Sequence, residues 1–263
     1  MTVIGWEELL TRSRSLPGCV SATIGVFDGV HVGHQQLMRA IAADSAHATP
    51  VVVTFSDNPA AILHPDANKG NILSPRQKNA KMAALGVGAV VLIDFSLEFS
   101  TLTGKNFIGQ LRNCLDLRKI VVGYNFHFGR NKDTDASGLA RMLDGSGIEI
   151  EVIQPSLYDN EVVSSSRLRS AILEGRFSQA RKMLAADYTI DLLEAEYAMR
   201  SGNVVEVPRY SLCQLLPKEG RYPAVLLTDT GGIETRVEIS SRALSWKTED
   251  PRTINEIRFV EPD

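Results

Sequence analysis

The sequence predicts an α/β protein whose first two thirds form a doubly wound parallel sheet and whose remainder forms a smaller antiparallel β domain. Two observations carry this prediction. Short apolar runs alternate with helical patterns from residue 20 to residue 185, as in a parallel sheet with helices on both faces. After residue 187 the helical patterns stop, and short, partly alternating segments follow one another between glycine turns, as in an antiparallel barrel or open sandwich.

Length and composition exclude several classes of protein. The 263 residues suffice for two ordinary domains, and 44% hydrophobic with 22% charged residues is typical of globular proteins. A net charge of −3 without a polybasic block argues against a general nucleic-acid or membrane-surface role. Neither a secretory signal nor a membrane-spanning run is visible, so we expect a cytoplasmic location. Three scattered cysteines, Cys19, Cys114 and Cys213, indicate reduced thiols.

Five short runs are predicted to form the parallel sheet, and each ends in a turn or a loop. They cover residues 21–27, 51–55, 89–93, 119–122 and 148–153. Helical patterns separate them, and a helix with a turn is expected before the first strand. In sheets of this kind ligands bind beyond the carboxyl ends of the strands, so the residues that follow these runs are candidates for a functional site.

The most chemically distinctive stretch follows the first run and reads Gly25-Val-Phe-Asp-Gly-Val-His-Val-Gly-His34. A glycine turn between a strand and a helix presents unpaired backbone N–H groups and the positive end of the helix dipole, which suits phosphate. His31 and His34 are three residues apart and share a face once the helix has begun. Two imidazoles can donate hydrogen bonds to phosphate oxygens during a transfer reaction. A single inward histidine would more often be a core residue, so the pair is what indicates catalysis.

This stretch resembles the GxFDGxHxGH signature of bacterial FAD synthetases, the FMN adenylyltransferase branch of the HxGH nucleotidyltransferases. The resemblance implies a Rossmann-like fold and an attack of the FMN phosphate on the α-phosphate of ATP. It implies that His31 and His34 are catalytic. It also implies that ATP contacts the other motif positions, namely Gly25, Phe27, Asp28, Gly29 and Gly33.

A second element, after the next strand, resembles the TFxxxP element that lies beside the flavin in this family. It consists of Thr54-Phe55 and Asn58-Pro59. The resemblance implies that Phe55, Asn58 and Pro59 contact the flavin. A phenylalanine at the end of a strand is about as often a plain core residue, so this element alone is a weak indication.

A third element, Val122-Gly-Tyr-Asn-Phe-His-Phe-Gly129, resembles the GxNFxFG element of the family. The resemblance implies an ATP contact at Gly123, a catalytic amide at Asn125 and aromatic walls for the flavin at Phe126 and Phe128. A loop folded back on its own core is the other interpretation. His127 replaces an arginine of the pattern and residues 130–134 are altered, so we expect this loop to hold its ligand somewhat differently.

The fourth element, Val163-Ser-Ser-Ser-Arg-Leu-Arg169, resembles the (I/V)SSTxIR element. Ser164 or Ser165 is a good N-cap for the helix that follows. Arginines in a first helical turn are disfavoured by the helix dipole by about 0.3–1 kcal/mol, and a bound polyphosphate would reverse the sign. The resemblance implies that Arg169 is catalytic and that ATP phosphates contact Ser164, Ser165, Ser166 and, as the weaker candidate, Arg167. A capped surface helix with solvated arginines is the alternative.

The resemblance also suggests two domains. Residues 1–186 would form the adenylyltransferase domain, and residues 187–263 correspond to the riboflavin kinase barrel of these enzymes. In place of the kinase signature GxPTAN stands Val205-Glu-Val-Pro-Arg-Tyr-Ser211, which lacks its glycine, threonine and asparagine. We therefore expect a kinase-like barrel without the kinase site.

The function implied by the resemblance is the synthesis of FAD from FMN and ATP, with no nucleic acid or membrane as partner. Magnesium is the implied cofactor, held mainly by the ATP phosphates and near Asn125. Three alternatives stay open: an HxGH nucleotidyltransferase with another phosphorylated acceptor, a non-catalytic flavin-binding protein, and an enzyme that retains riboflavin kinase activity. Phe55 and Phe128 favour a flat aromatic acceptor.

Overall fold

The structure is a computed structural model, and it describes residues 1–11, 16, 18–59, 62, 70–248 and 253–261. Its strands are β1 (Thr2–Gly5), β2 (Cys19–Ile24), β3 (Thr49–Phe55), β4 (Ala89–Ile93), β5 (Asp116–Gly123), β6 (His127–Phe128), β7 (Thr134–Asp135), β8 (Glu149–Ile153), β9 (Leu157–Tyr158), β10 (Glu161–Val162), β11 (Thr189–Asp191), β12 (Ala198–Arg200), β13 (Val204–Pro208), β14 (Gly220–Thr228), β15 (Gly231–Ile239), β16 (Ala243–Lys247) and β17 (Glu256–Phe259). Its helices are Trp6–Thr11, Val32–Ala42, Pro75–Ala84, Gly104–Cys114, Ala136–Leu143, Ser165–Leu173 and Phe177–Leu184.

The described residues divide into two compact units. The first contains residues from 1–68 and 79–157, and the second contains residues from 69–78 and 158–263. None of the helices in the described part of the chain combines the length and the apolar character needed to cross a membrane. All three cysteines are free thiols, as predicted.

The first unit is built on a six-stranded parallel sheet with the order β1-β4-β3-β2-β5-β8. From β2 the chain moves outward to β3 and β4, and it then crosses back to β5 and β8 on the other side. The order therefore reverses between β2 and β5, and such a switch point opens a crevice at the carboxyl ends of the strands. The loops that follow β2 and β5 border this crevice, and both carry motifs singled out in the sequence.

Helices cover both faces of this sheet because the side chains of each strand alternate between them. On one face, Val20 and Ala22 of β2 join a core with the helices Trp6–Thr11, Gly104–Cys114 and Ala136–Leu143. On the other face, Ser21 donates a hydrogen bond to Asp44, which lies just beyond the helix Val32–Ala42. The predicted doubly wound sheet is thus confirmed.

The five predicted parallel strands are all present, as β2, β3, β4, β5 and β8. The first ends at Ile24 rather than Phe27, because the chain leaves the sheet in a tight turn at Gly25. The prediction missed β1, which pairs with β4 at the edge of the sheet. Only one residue of β1, Ile4, is buried, so the strand leaves no apolar run in the sequence.

The second unit contains a seven-stranded antiparallel sheet with the order β11-β17-β14-β15-β16-β13-β12, curled into a half-barrel. This confirms the predicted smaller antiparallel domain. The hairpin expected around residues 229–232 joins β14 to β15. The stretch that stands in place of the kinase signature forms β13 and the short turn after it.

Packing divides the chain at residue 157 rather than at the predicted boundary near residue 186. The helix Phe177–Leu184 lies in the second unit, where Phe177 stacks on Phe259 of β17 with ring centroids 4.7 Å apart. Residues 70–78 also belong to this unit, since Ser74 and Arg76 both bond to Asp191. These contacts join positions more than 80 residues apart, so no local pattern predicts them. The functional domain boundary stays a prediction.

Candidate active site

The loop after β2 is a tight turn that contains residues with left-handed backbone angles. Phe27 has a φ of 53°, Gly29 of 81° and Val30 of 43°. A positive φ is strained for residues other than glycine, above all for a β-branched residue such as Val30. The ring of Phe27 lies over Gly25, where a Cβ atom would come within 2.9 Å of the ring Cζ. The turn therefore needs a glycine at position 25.

Hydrogen bonds from two neighbouring elements hold this turn in its strained form. Thr54 of β3 donates from Oγ1 to the carbonyl of Val26 at 2.9 Å. Gln35 donates from Nε2 to the carbonyl of Val30 at 3.0 Å. Both side chains are buried, and a hydrogen bond shielded from water is electrostatically stronger than an exposed one. The turn consequently presents its histidines in one fixed arrangement.

His31 and His34 form a stacked pair at the start of the helix Val32–Ala42. Their ring centroids lie 3.6 Å apart, with 19° between the ring planes. His31 is the N-cap of the helix, because its Nδ1 accepts a hydrogen bond from the His34 backbone N–H at 3.4 Å. The ring of Phe27 stands perpendicular to that of His34 at 5.1 Å. The two histidines thus meet as predicted, although His31 caps the helix instead of lying within it.

His31 is a neutral hydrogen-bond donor at physiological pH. Burial lowers the pKa of its imidazole from 6.5 to about 4, the positive charge of Lys81 lowers it as well, and the carboxylate of Asp28 acts in the opposite direction. Because Nδ1 accepts the bond from His34, the proton of the neutral ring lies on Nε2. An N–H donor that carries no full charge is therefore available at the helix N-terminus.

Lys81 is a candidate site residue that sequence reasoning missed. It lies half-buried on the helix Pro75–Ala84, and burial lowers the pKa of its ammonium group from 10.5 to about 8. The group is still mostly protonated at pH 7, so a cation stands close enough to His31 to affect its pKa. In the sequence this lysine fits an ordinary exposed helical position, and nothing nearby marks it as buried.

Replacing this cation should change the titration of His31. In Lys81→Met we expect the pKa of His31 to rise, because the charge that opposes protonation is lost while the ring stays buried. The pKa should remain below 6.5, since burial is the larger cause. An NMR titration of the His31 ring protons measures the shift. The exposed Lys105→Met serves as the control, and equal titrations in both variants would contradict the placement of Lys81.

The aromatic members of the predicted flavin residues, Phe55, Phe126 and Phe128, lie on the opposite face of the sheet. Phe126 stacks on Phe128 at 5.0 Å, and Phe128 contacts Phe107 at 5.9 Å. Phe55 contacts Phe99 at 6.1 Å, and Phe99 in turn contacts Phe107 at 5.9 Å. All of these rings belong to or pack against the core below them. The half-buried members Phe55, Phe126 and Phe128 keep part of their surface exposed, as a wall for a flat ligand requires.

The loop after β5 is ordered by its own hydrogen bonds. The Phe126 N–H donates to the carbonyl of Gly123 at 3.0 Å, and a ring nitrogen of His127 lies 2.9 Å from the carbonyl of Asn125. The Asn125 Oδ1 lies 3.6 Å from the position that a Cβ would take at Gly123. The amide of Asn125 is therefore placed beside Gly123, directly beyond the carboxyl end of β5.

The altered residues 130–134 have a structural role. The carboxylate of Asp133 accepts hydrogen bonds from the Gly104 N–H at 3.1 Å and from the Thr134 hydroxyl at 2.8 Å. This anchors the loop at the start of the helix Gly104–Cys114. Gly129 has a φ of 80°, and a Cβ there would lie 2.4 Å from the Gly104 nitrogen. Close approach of two backbones thus explains the glycine that ends the aromatic element.

The serine and arginine motif lies in the second unit. Ser164 is the N-cap of the helix Ser165–Leu173 and accepts a hydrogen bond from the Arg167 backbone N–H at 3.2 Å, as predicted. The guanidinium of Arg167 donates to the carbonyls of Tyr158 at 2.7 Å and Glu161 at 3.0 Å. It also pairs with the Glu161 carboxylate at 3.1 Å. Arg167 therefore orders the preceding hairpin, and the phosphate-binding roles of both arginines stay predictions.

A comparison with known protein families shows to which family the chain belongs. The model described as FAD synthetase matches residues 13–167, which is more than half of the sequence. This chain belongs to the FAD synthetase family. The matched range contains the first three elements that the sequence analysis singled out and residues 163–167 of the fourth, so Leu168 and Arg169 lie beyond it.

Two relatives of the family come from Listeria monocytogenes. A bifunctional riboflavin kinase/FMN adenylyltransferase is 30% identical over 170 residues, which cover 63% of this chain and 54% of the relative. A protein described as FAD synthetase is 27% identical over 234 residues, which cover 86% of this chain and 91% of the relative. The chain therefore spans about half the length of the bifunctional relative and most of the other.

A solved structure shows the same fold. The crystal structure of a macrolide-efflux protein from Streptococcus pneumoniae has a TM-score of 0.81 at 24% identity and covers 98% of this chain and 90% of its own. At this identity the likeness concerns the fold alone. It agrees with the parallel sheet and the antiparallel half-barrel found in this member of the FAD synthetase family.

Within the first unit, the predicted site residues of this family member lie where three strands end. The glycine turn and the histidine pair follow β2, Phe55 ends β3 and is followed by Asn58 and Pro59, and the Asn125 loop follows β5. Among the described residues no group of three or more His, Cys, Asp or Glu side chains could hold a metal ion by itself. The roles of the individual residues stay predictions.

Proposed function

We propose that the chain makes FAD by transferring the AMP part of ATP to FMN, with release of pyrophosphate. One observation carries the proposal: the stacked histidine pair at the N-terminus of the helix Val32–Ala42, placed beside the β2/β5 switch point. Such a crevice is where Rossmann-like sheets bind nucleotides. Membership of the FAD synthetase family supports the identity of the acceptor.

The reaction forms one bond and breaks one bond at the α-phosphorus of ATP. An oxygen of the FMN phosphate attacks this phosphorus, and the bond to the β-phosphate oxygen breaks on the opposite side. Pyrophosphate leaves with the electron pair of the broken bond. A phosphate monoester dianion is already a competent nucleophile, so no general base and no covalent enzyme intermediate are required. The task of the protein is to position the reactants and to stabilise developing charge.

The histidine pair is suited to that task. His31 donates from Nε2, and its orientation is fixed because Nδ1 is engaged at the helix N-terminus. We assign this donor, together with His34, to the non-bridging oxygens of the α-phosphate. These oxygens gain charge in the transition state, where a preorganised donor is worth most. The helix N-terminus adds its positive partial charge at the same place.

Lys81 and magnesium would together offset the remaining negative charge of the triphosphate. The half-buried Lys81 supplies a cation close to His31. Magnesium usually uses few protein ligands when it binds together with a nucleotide. Asn125 is the residue that would hold the ion or its waters, and the ion would offset part of the charge on the triphosphate.

The remaining predicted residues would bind the β- and γ-phosphates of ATP and the flavin ring of FMN. Ser164, Ser165, Ser166 and Arg169 would hold the β- and γ-phosphates that leave as pyrophosphate, since a capped helix start with a nearby guanidinium binds phosphate well. Phe55, Phe126 and Phe128 would flank the flavin ring. The missing kinase signature supports adenylyl transfer as the single activity, so the half-barrel would have a role other than riboflavin phosphorylation. We expect the enzyme to work in the cytoplasm.

One assay tests the proposal. Purified protein is incubated with ATP and magnesium together with either FMN or riboflavin, and the flavins are resolved by chromatography while pyrophosphate is measured. We expect FAD from FMN, with one pyrophosphate for each FAD, and no FMN or FAD from riboflavin. Tight flavin binding without product would contradict the proposal and favour a binding protein. FAD formed from riboflavin would show that the half-barrel retains a kinase.

A further inference from the structure

Asn125 lies in an exposed part of the loop after β5, and a hydrogen bond to the next residue but one holds its backbone. The side chain of Asn125 is not covered by the core. Within the described part of the chain Asn125 makes one hydrogen bond, in which its carbonyl oxygen lies 2.9 Å from the Nδ1 of His127. The orientation of the predicted catalytic amide therefore depends on this bond.

The chemistry of the contact fixes the tautomer of His127. A carbonyl oxygen only accepts hydrogen bonds, so the Nδ1 of the imidazole must carry a proton. In the neutral ring Nε2 is then unprotonated, whereas in the charged ring both nitrogens carry protons. Nδ1 is thus a donor to the Asn125 carbonyl in both states of the ring.

His127 lies on the side of the loop that faces away from the aromatic residues. It pairs with Asp135 in the short β6–β7 ladder. Successive side chains of a strand point to opposite faces, and the next residue, Phe128, packs against the core. The imidazole therefore points away from the predicted flavin wall, so a role in holding the loop fits it better than a contact with the flavin.

The residue opposite His127 is itself anchored. Asp135 is the N-cap of the helix Ala136–Leu143, and its carboxylate accepts a hydrogen bond from the Gly138 N–H at 2.6 Å. This bond is the main cause that lowers the pKa of the Asp135 carboxyl, and the nearby His127 lowers it as well. The imidazole thus stands beside a fixed helix start, from which it can hold the Asn125 carbonyl.

The aromatic residues of the loop do not depend on His127. Phe126 and Phe128 pack against the core, and the Phe126 N–H donates to the carbonyl of Gly123 at 3.0 Å. Loss of the imidazole should therefore leave the predicted flavin wall in place. Its effect should fall on Asn125, which lacks such packing.

We propose that His127 is a positioning residue for adenylyl transfer, whose Nδ1–H holds the Asn125 carbonyl and so keeps the Asn125 amide in its working orientation. The inference rests on the proposed function, because it takes Asn125 as part of the reaction site. It gives a role to the residue that stands in place of the arginine of the family pattern. His127 itself touches neither substrate.

Two amide variants test this role. The Nδ2 of asparagine is as many bonds from Cα as the Nδ1 of histidine, so His127→Asn keeps a donor at the same place, whereas His127→Gln moves its amide one bond further out. In His127→Gln we expect kcat for FAD formation to fall about three- to tenfold, the usual contribution of one neutral hydrogen bond. In His127→Asn kcat should stay within about twofold of the wild type.

Further readouts separate positioning from a general structural role. The KM for FMN and the melting temperature should stay close to the wild-type values in both variants, because the aromatic wall remains and His127 is exposed. The exposed His47→Gln is the matched control and should leave kcat unchanged. Wild-type turnover in His127→Gln would refute the positioning role, as would equal losses in both variants or a rise in the KM for FMN alone.

NMR of the substrate-free protein tests the bond without any activity. The ¹⁵N shifts of the neutral His127 ring show which nitrogen carries the proton, and we expect Nδ1. A proton on Nε2 would refute the bond and with it the inference.

The same measurements keep the inference apart from the proposed function. A wild type that forms FAD, beside a His127→Gln variant with unchanged kcat, would refute the role of His127 alone. A wild type that forms no FAD would refute the proposed function and, with it, the positioning role, even if the ring carries its proton on Nδ1.

Discussion

Replacement of His31 by alanine should lower kcat for FAD formation by about 10²–10³-fold, the effect of removing one preorganised donor from a developing oxyanion. The KM for FMN should change little, because the flavin is expected at Phe55, Phe126 and Phe128 on the other side of the sheet. Steady-state kinetics with FMN as the varied substrate give both constants. Near-normal turnover in His31→Ala would remove the histidine pair from the mechanism.

His31 also caps a helix, so His31→Ala removes the imidazole donor and the N-cap at the same time. A lost N-cap lowers stability by about 1 kcal/mol. His31→Asn separates the effects, since asparagine is a good N-cap but has no imidazole. We expect a comparable loss of turnover in His31→Asn, with a melting temperature close to that of the wild type. Restored turnover in this variant would show that the cap, and not the ring, is what the reaction needs.

The second large effect is a loss of stability in mild acid that depends on His31. The pKa of the buried imidazole is about 4, against 6.5 for an unperturbed histidine. Between these values the unfolded chain binds a proton that the folded chain does not bind. Stability from this group is therefore fully present above pH 6.5 and is lost as the pH falls towards 4. Between pH 7 and pH 5, the His31 imidazole should lower the free energy of unfolding by about 2 kcal/mol.

Urea unfolding of the wild type and of His31→Asn at several pH values measures this contribution. Other groups titrate in both proteins and cancel in the difference between them. The wild type should lose about 2 kcal/mol more than the variant between pH 7 and pH 5. Parallel pH dependences would mean that the imidazole is less buried than the structure indicates.

The sequence was informative where local chemistry and local structure coincide. The buried strands appeared as apolar runs, and the motifs after β2 and β5 could be placed at one edge because parallel strands share their direction. The N-cap at Ser164 could be read from its own residue type. The contact between His31 and His34 followed from their spacing, although the spacing did not reveal that His31 caps the helix.

What the sequence did not reveal depends on contacts between distant positions. Lys81 resembles any exposed helical lysine, and its burial is set by neighbours that the chain supplies elsewhere. The association of residues 70–78 with the second unit depends on bonds to Asp191 and Gln214, more than 110 positions away.

The two hydrogen bonds that hold the turn after β2 also bear on how the site can form. Thr54 reaches the turn from a strand 28 positions further on, and Gln35 reaches it from the first turns of the following helix. A fragment that ends before β3 lacks the bond from Thr54, so we expect it to hold the strained turn, and with it the histidines, less firmly. Catalytic activity should therefore emerge late in folding, only once β2, β3 and the helix between them have docked.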